Sequence, residues 1–319
     1  MKICFIGLGS IGSRHIMNLS FVLKNRNIKY SIDALRSKKI PIPENISNLI
    51  NNEYFNINEL QDDYDIIFIT NPTFLHYDTI SRVVNNTKHM FIEKPIFETN
   101  KYNIEELHMR PDGIYYVACP LRYSPVIKYL KDSIETEKIY SVRAISSSYL
   151  PNWRKGIDYR NVYSAKKSQG GGVSLDLIHE WDYITYLFGN PLQVYNMNGQ
   201  FSSLEIDSDD ISIYIAKYRD KFIELHLDYF GRNTIRQLEL YSDDYVIYAD
   251  LIRMKIEYKG IIQKAIQFKK EDIYLNEMNC FIGMILNKAV NENSIYNAID
   301  VLEIATCDIF NHHTDKNSM

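Results

Sequence analysis

Three glycines near the start of the chain constrain its fold more than any other feature. They follow the short apolar run Lys2–Ile6, and the sequence after them has the apolar spacing of a helix. A strand, a glycine-rich turn and a helix in this order allow backbone N–H groups to approach a pyrophosphate and direct the positive end of the helix at its charge. The pattern predicts a dinucleotide-binding turn made of Gly7, Gly9, Ser10, Ile11 and Gly12.

The first 121 residues alternate short strand-like runs with helical segments. The runs are nearly continuous in apolar residues, which is typical of strands covered on both faces of a parallel sheet. We therefore expect residues 1–121 to form a Rossmann domain of the α/β class with a doubly wound parallel sheet. Its predicted strands are Lys2–Ile6, Lys29–Leu35, Ile66–Thr70, His89–Ile92 and Ile114–Ala118.

A different pattern begins after about residue 125. Between Leu192 and Phe268 the chain is almost entirely strand-like, and the alternation of Ile211, Ile213 and Ile215 indicates strands with one covered face. We expect residues 122–319 to form a C-terminal α+β domain with an open, mainly antiparallel sheet, which binds substrate and forms the oligomer. Helices are predicted over residues 125–134, 175–188, 275–288 and 295–310.

Composition excludes several classes of protein. With 36 basic and 40 acidic residues the formal net charge is −4, which disfavours a nucleic-acid-binding protein. No run of about 18 apolar residues occurs, so we predict no membrane association and a cytoplasmic location. The four cysteines form no CxxC pair, and the histidines, including His312 and His313, lack suitably spaced partners. We therefore predict no metal site.

The end of the second strand bears on the choice of dinucleotide. If the strand ends at Leu35, then Arg36 and Ser37 face the adenosine ribose, and the cationic fork of Arg36 favours the 2′-phosphate of NADP. If the strand ends two residues earlier, Asp33 accepts a hydrogen bond from the ribose 2′-hydroxyl and NAD is favoured. We predict that NADP or NAD is bound and that NADP is preferred.

Further motifs lie at the ends of later strands, where open α/β sheets bind ligands. They read TNPTFLH from Thr70, EKP from Glu93, CPLRYSP from Cys119 and GGGVSLDLIHEWDYITYLFG from Gly170. With GLGSIGSRH, in this order and spacing, they resemble the Gfo/Idh/MocA family, named after glucose-fructose oxidoreductase, inositol dehydrogenase and MocA, over nearly the whole chain. The first two motifs add to the predicted cofactor site Thr70, Asn71, Pro72, His76, Glu93 and Lys94.

The resemblance also implies the catalytic residues. Lys94 matches the family's EKP lysine, while Asp176 and His179 match its acidic and histidine positions. Family members commonly space that pair four residues apart rather than three, but on one continuous helix either spacing places both side chains on the same face. A histidine that titrates near neutrality can remove a hydroxyl proton, and a lysine can stabilise the resulting charge on oxygen. The resemblance further implies a cis peptide bond between Lys94 and Pro95.

The loop before this helix has an unusual composition. Five cations and one acid lie between Trp153 and Lys167, interleaved with aromatic residues. Such a loop could hold an anionic sugar such as a nucleotide sugar, or it could be solvated or contact another subunit. Arg122 of CPLRYSP could contact the substrate or join the two domains. The predicted substrate-binding residues are Arg122, Trp153, Tyr159 and Arg160.

These observations lead to one functional hypothesis with two alternatives. We expect an NAD(P)-dependent oxidoreductase that interconverts a hydroxyl and a keto group on a sugar or sugar derivative, including a nucleotide sugar of surface glycan synthesis. The alternatives are a reductase of C=N or C=C bonds and a cofactor-bound sensor without catalysis. The chain has 25 tyrosines, more than half of them beyond residue 121. We predict a homodimer or homotetramer formed through the C-terminal sheet, and an aromatic face of that sheet that is an interface either with substrate or with another subunit.

Overall fold

The computed structural model describes residues 1–311 and divides the chain into two units. The first unit contains Met1–Pro120 and Asp272–Ile299, and the second contains Leu121–Glu271 with the described residues from Asp300 onward. The first division lies one residue from the predicted boundary at residue 121. The structure differs from the prediction over residues 272–299, which had been assigned to the C-terminal domain and which group with the first unit.

The first unit contains a six-stranded sheet in which every pairing is parallel. The strand order β3-β2-β1-β4-β5-β6 is that of a dinucleotide-binding fold, and it confirms the predicted doubly wound parallel sheet. The edge strand β3 is short and polar, so the apolar pattern did not predict it. The strands are β1 (Lys2–Ile6), β2 (Ser31–Leu35), β3 (Asn52–Tyr54), β4 (Tyr64–Ile69), β5 (Thr87–Ile92) and β6 (Tyr115–Val117).

The second unit contains a nine-stranded sheet, ordered β14-β13-β12-β11-β7-β10-β9-β8-β15. All neighbours pair antiparallel except β7 and β10, which are parallel, so the predicted mainly antiparallel sheet is confirmed. The strands are β7 (Ser141–Tyr149), β8 (Gln193–Gly199), β9 (Ile211–Lys217), β10 (Phe222–Asp228), β11 (Phe230–Tyr241), β12 (Tyr245–Asp250), β13 (Lys255–Gly260), β14 (Lys264–Gln267) and β15 (Ile309–Asn311).

Eight α-helices are present within residues 1–311. The continuous helix predicted over residues 175–188 is wrong, because two helices separated by Leu177 and Ile178 occupy this segment. The first of the two ends before Leu177, whose φ of −98° and ψ of 26° lie outside the helical region. The helices are α1 (Ser10–Asn25), α2 (Glu44–Ser47), α3 (His76–Val83), α4 (Pro125–Ser133), α5 (Val173–Asp176), α6 (His179–Phe188), α7 (Ile273–Asn287) and α8 (Ile295–Thr306).

Helix α7 belongs to the first unit because its apolar side chains pack on β5 and on the edge strand β6 of the parallel sheet. The ring of Phe281 lies 5.2 Å from that of Phe91 and 5.6 Å from that of Tyr116, measured between centroids. The buried carboxylate of Glu277 accepts hydrogen bonds from the Tyr116 hydroxyl at 3.1 Å and from the backbone N–H of Cys119 at 2.6 Å. These contacts hold α7 at the C-terminal end of β6.

Candidate active site

The glycine-rich turn between β1 and α1 has the geometry that a pyrophosphate requires. Gly7 has a φ of 98°, and a Cβ atom there would lie 2.7 Å from the backbone nitrogen of Asn71. A Cβ atom on Gly12 would meet the carbonyl oxygen of Gly7, whereas one on Gly9 would have no neighbour within 4 Å. No side chain caps α1 and its first turn contains no acidic residue, so no side chain of its own first turn competes with an anionic group for its first N–H groups.

The segment after β4 closes on this turn. Thr70 donates its hydroxyl to the carbonyl oxygen of Gly7 at 2.6 Å. His76 is fully buried, and its Nδ1 and Nε2 atoms lie 2.9 Å and 3.0 Å from the carbonyl oxygens of Ile96 and Asn71. Burial lowers the pKa of His76, although both carbonyl contacts oppose this effect. Because both ring nitrogens face protein carbonyls, His76 holds the Asn71 segment in place.

Strand β2 ends at Leu35, and Arg36 follows it directly. Asp33 lies in the middle of the strand, where its buried carboxylate accepts hydrogen bonds from Asn52 at 2.8 Å and Tyr64 at 2.9 Å. The guanidinium of Arg36 pairs with the carboxylate of Glu53 on β3 at 2.6 Å and also contacts the carbonyl oxygen of Ile40. The side chain at the end of β2 is therefore a cation that is already held by an acid.

Glu93 and Lys94 follow β5, and the Lys94–Pro95 peptide bond is cis, which confirms the expectation from sequence. The buried Glu93 carboxylate contacts Nε2 of His15 at 2.5 Å with Oε1 and accepts the backbone N–H of Lys94 at 3.1 Å with Oε2. Burial would raise the pKa of Glu93, but the hydrogen bond and charge of His15 and the charge of Lys94 outweigh it and lower the pKa. Both carboxylate oxygens thus contact protein groups.

Asp176 and His179 lie on opposite sides of the break between α5 and α6. Asp176 ends α5 and is buried, and its Oδ2 atom accepts the Tyr229 hydroxyl at 2.5 Å. The Tyr163 hydroxyl also hydrogen-bonds Asp176; the carboxylate charge and burial raise the pKa of Tyr163 well above its usual value. His179 is the first residue of α6 and is half-buried.

The start of α5 is fixed from another loop. Asp209 accepts hydrogen bonds from the backbone N–H of Ser174 at 3.0 Å and from its hydroxyl at 2.8 Å. Gly172, just before α5, has a φ of 126°, and a Cβ atom there would collide with the Asp209 carboxylate. Burial raises the pKa of Asp209, although its bonds to Ser174 oppose this shift. A helix cap from a distant residue therefore sets the position of Asp176.

The four predicted substrate-binding residues have different surroundings. Arg122 is buried and forms a two-pronged ion pair with Asp182 of α6, at 2.7 Å and 3.0 Å, so it fixes α6 within the second unit. Trp153 is partly exposed, and its ring lies edge-on to Tyr229 at 5.2 Å between centroids. It donates its indole N–H to Ser148 at 2.9 Å.

Acidic side chains hold one of the five cations of the loop, Arg160. It pairs with Asp158 at 2.8 Å and with Glu205 at 2.9 Å, and these bonds raise its pKa further. The Tyr159 hydroxyl accepts the backbone N–H of Glu205 at 3.2 Å. Asp207 accepts the backbone N–H of Lys167 at 2.6 Å, so the acidic segment about 40 residues later contacts the loop at two places.

Comparisons with known proteins concern the first part of the chain most directly. Residues 1–108 match the model of the Gfo/Idh/MocA family, described as an oxidoreductase family with an NAD-binding Rossmann fold. This match identifies residues 1–108 as an NAD-binding Rossmann domain of the kind found in that family.

Similar proteins cover different shares of the chain. The uncharacterized oxidoreductase YrbE of Bacillus subtilis is 28% identical over 221 residues, which is 65% of this chain and 62% of the relative. Myo-inositol 2-dehydrogenase of Thermotoga maritima is 24% identical over 306 residues, covering 88% of this chain and 87% of the relative. The structure of levoglucosan dehydrogenase in complex with NADH and levoglucosan has the same fold, with a TM-score of 0.81 at 16% identity over 96% of this chain and 95% of that one.

Several residues of the site were not predicted from the sequence. Neither Tyr163 nor Tyr229 was predicted as a site residue, and Ser174 lies 35 residues from its partner Asp209. His15 was grouped with the histidines that lack suitably spaced metal-binding partners. The position of His15 at the end of the GLGSIGSRH motif is the sequence feature from which a role in the site could have been predicted.

Two findings concern other classes of site. No group of three or more His, Cys, Asp or Glu side chains within residues 1–311 could hold a metal ion. His312 and His313 lie outside the described residues. In the same part of the chain, no helix has both the length and the apolar character needed to cross a membrane.

Proposed function

We propose that this chain is an NAD(P)-dependent dehydrogenase that interconverts a hydroxyl and a keto group on a sugar or polyol. The observation that carries the proposal is the position of Lys94. It follows β5, while the glycine-rich turn follows β1 and the Thr70 segment follows β4, and these three strands are neighbours in the sheet. A reactive cation therefore lies on the same edge of the sheet as the dinucleotide-binding turn.

We assign each site residue a role in the reaction from the chemistry of its side chain. A bound nicotinamide supplies the hydride acceptor or donor. We propose that Lys94 hydrogen-bonds the reacting oxygen and stabilises negative charge on it, and that His179 removes or returns the hydroxyl proton. Asp176 is a positioning residue in this scheme, because the hydroxyls of Tyr163 and Tyr229 bind its buried carboxylate.

We propose that the cofactor is NADP in preference to NAD. Two observations support this choice: Arg36 directly follows the last residue of β2, and Asp33 is buried against Asn52 and Tyr64. A guanidinium can bind the 2′-phosphate with two hydrogen bonds. The glycine-rich turn would hold the pyrophosphate at the N-terminus of α1.

We propose that the substrate is an uncharged sugar or polyol. Arg160, which is the best candidate to bind a diphosphate according to the sequence, is paired with two carboxylates. Myo-inositol 2-dehydrogenase and levoglucosan dehydrogenase, both similar to this chain, are named after uncharged polyhydroxylated compounds. A nucleotide sugar is the second substrate class to be tested.

The oligomer is proposed to form through the open face of the second sheet. Neighbouring exposed side chains on β15, β8 and β9 form an apolar patch of Ile309, Tyr195, Met197, Ile213 and Ile215. The patch contains one tyrosine, whereas Tyr214 and Tyr229 are buried on or near the covered face. A patch of this kind on a sheet face favours association of two copies in a homodimer or homotetramer.

The test is the turnover of two variants. Lys94→Ala and His179→Ala are each expected to lower kcat about 100- to 10,000-fold, because each loses a group that stabilises charge or transfers a proton. Dinucleotide affinity, measured by fluorescence titration, is expected to remain close to that of the unmodified chain. Lys88→Ala provides the matched control, since Lys88 is an exposed lysine near the other end of the same strand. Full activity in both active-site variants would overturn the proposal.

A further inference from the structure

His15 is a buried polar residue that the proposed reaction does not use. It lies on α1, three residues after the last glycine of the dinucleotide-binding turn, and it is fully buried. Aromatic rings surround it: Phe91 lies at 4.8 Å, Tyr274 at 6.2 Å and Phe68 at 6.4 Å, measured between ring centroids. Its Nδ1 atom has no hydrogen-bond partner among the described residues.

Within residues 1–311, the one polar contact of the His15 side chain is with Glu93. Nε2 lies 2.5 Å from Oε1 of the Glu93 carboxylate, across 78 residues of sequence. Placing an imidazole among aromatic rings with one nitrogen unsatisfied costs free energy that an apolar side chain would avoid. The contact with Glu93 therefore accounts for a histidine at this position better than packing does.

Glu93 carries the contact onward to Lys94. Its second carboxylate oxygen accepts the backbone N–H of Lys94 at 3.1 Å, and its own N–H donates to Ile69 of β4 at 2.9 Å. The Glu93 side chain thus joins the dinucleotide-binding helix to the backbone of the lysine. His15 and Glu93 are 78 residues apart in sequence, so only their contact couples their positions. This contact is therefore a bridge that fixes the Lys94 backbone relative to α1.

We infer that His15 is a positioning residue for Lys94, acting through the Glu93 carboxylate and tying the lysine to the dinucleotide-binding helix. The inference rests on the proposed function in that Lys94 is assigned a role in turnover. Small displacements of a catalytic group cost large factors in rate, so the bridge is expected to contribute mainly to kcat. The dinucleotide binds the turn itself and should be held almost as well without His15.

Three variants separate positioning from packing. His15→Leu removes the bond to Glu93, while His15→Gln retains an N–H donor on a flexible side chain. His89→Leu is the matched control. His89 is also buried in the first unit and accepts the backbone N–H of Ile114 at 3.0 Å, and it lies within β5, four residues before Glu93. The measurements are kcat, KM, the dinucleotide dissociation constant and the rate of reductive methylation of Lys94 read by mass spectrometry.

We expect His15→Leu to lower kcat about 10- to 100-fold with little change in dinucleotide affinity. His15→Gln should recover much of this loss, and His89→Leu should keep the original kcat per folded molecule. Lys94 should be methylated faster in His15→Leu than in the control, since its backbone is less constrained. An equal effect of His15→Leu and His89→Leu on both kcat and methylation would overturn the inference.

The methylation rate keeps the two proposals distinguishable. If the unmodified chain binds the dinucleotide but turns over no sugar, the proposed function fails, and a selective change in Lys94 methylation in His15→Leu would still support the bridge. If turnover occurs and His15→Leu retains both the original kcat and the original methylation rate, the bridge is overturned while the proposed function stands.

Discussion

Arg36 and Glu53 form an ion pair at the position where a Rossmann domain meets the adenosine ribose. The pair joins the end of β2 to β3, and the Arg36 side chain is mostly buried. A 2′-phosphate would compete with the Glu53 carboxylate for the same guanidinium. The proposed preference for NADP therefore depends on both residues, and only the first of them was predicted from the sequence.

Arg36→Ala is expected to weaken NADP binding about 10- to 100-fold, because a hydrogen bond between two charged groups contributes about 1.5–3 kcal/mol. NAD affinity should change little. Glu53→Gln should strengthen NADP binding, since it removes a competing negative charge. Titration of both dinucleotides against each variant measures the effect, with Lys24→Ala as a control for general charge. Equal losses of NADP and NAD affinity in Arg36→Ala would contradict this account.

Among single residues, the sequence could predict those that belong to a local motif. Lys94 and the three glycines lie in short patterns whose chemistry can be read directly. The partners of Asp176 could not be predicted, because Tyr229 lies 53 residues away and meets it only after the second sheet has formed. The Glu205 partner of Arg160 could not be predicted for the same reason, since it is 45 residues distant.

At the scale of elements, the parallel strands were predictable because both of their faces are buried and their sequences are nearly continuous in apolar residues. The break between α5 and α6 was not, since the residues on either side retain helical spacing. The difference has a chemical consequence: Asp176 and His179 do not share one helix face, so their relation depends on the turn at Leu177 and Ile178.

The solvent-exposed face of the second sheet has an apolar part and a charged part. Its apolar patch lies on β15, β8 and β9, whereas Arg143 on β7 lies between Glu224 and Glu239 at 3.4 Å and 3.5 Å. The alternation of residues along the strands predicted that one face of this sheet is covered and the other is exposed. Tyr195, Tyr241 and Tyr248 lie on the same face of the sheet as Arg143, whereas Tyr214 is buried on the other face, so a count of tyrosines does not by itself reveal which face each ring occupies.

Ile213→Glu and Ile215→Glu are expected to convert the proposed oligomer into monomers. Each change would bury a charge between two apolar surfaces, which is strongly unfavourable unless the charge is paired. Light scattering on a size-exclusion column measures the mass. Val290→Glu is the control, because Val290 is an exposed apolar residue of the first unit. Unchanged mass in both sheet variants would rule out this face as the interface.

For the whole molecule, the sequence predicted the two sheet types and the position of the first division. It could not predict that residues 272–299 group with the parallel sheet. Apolar spacing shows that α7 has a buried face but not which sheet covers it. The ring of Phe281 on Phe91 and the bonds of Glu277 to Tyr116 and Cys119 answer that question, and they connect residues more than 150 positions apart.

The proposed reaction is the oxidation of a carbinol carbon of a sugar or polyol by a nicotinamide dinucleotide. The most direct measurement incubates the chain with NADP or NAD and a panel that contains myo-inositol, levoglucosan, free hexoses and UDP-N-acetylglucosamine, and follows reduced nicotinamide by its absorbance. We predict reduced dinucleotide and an equal amount of ketone with an uncharged member of the panel. Tight dinucleotide binding without oxidation of any alcohol, together with reduction of a cyclic imine or a C=C bond, would contradict the claim.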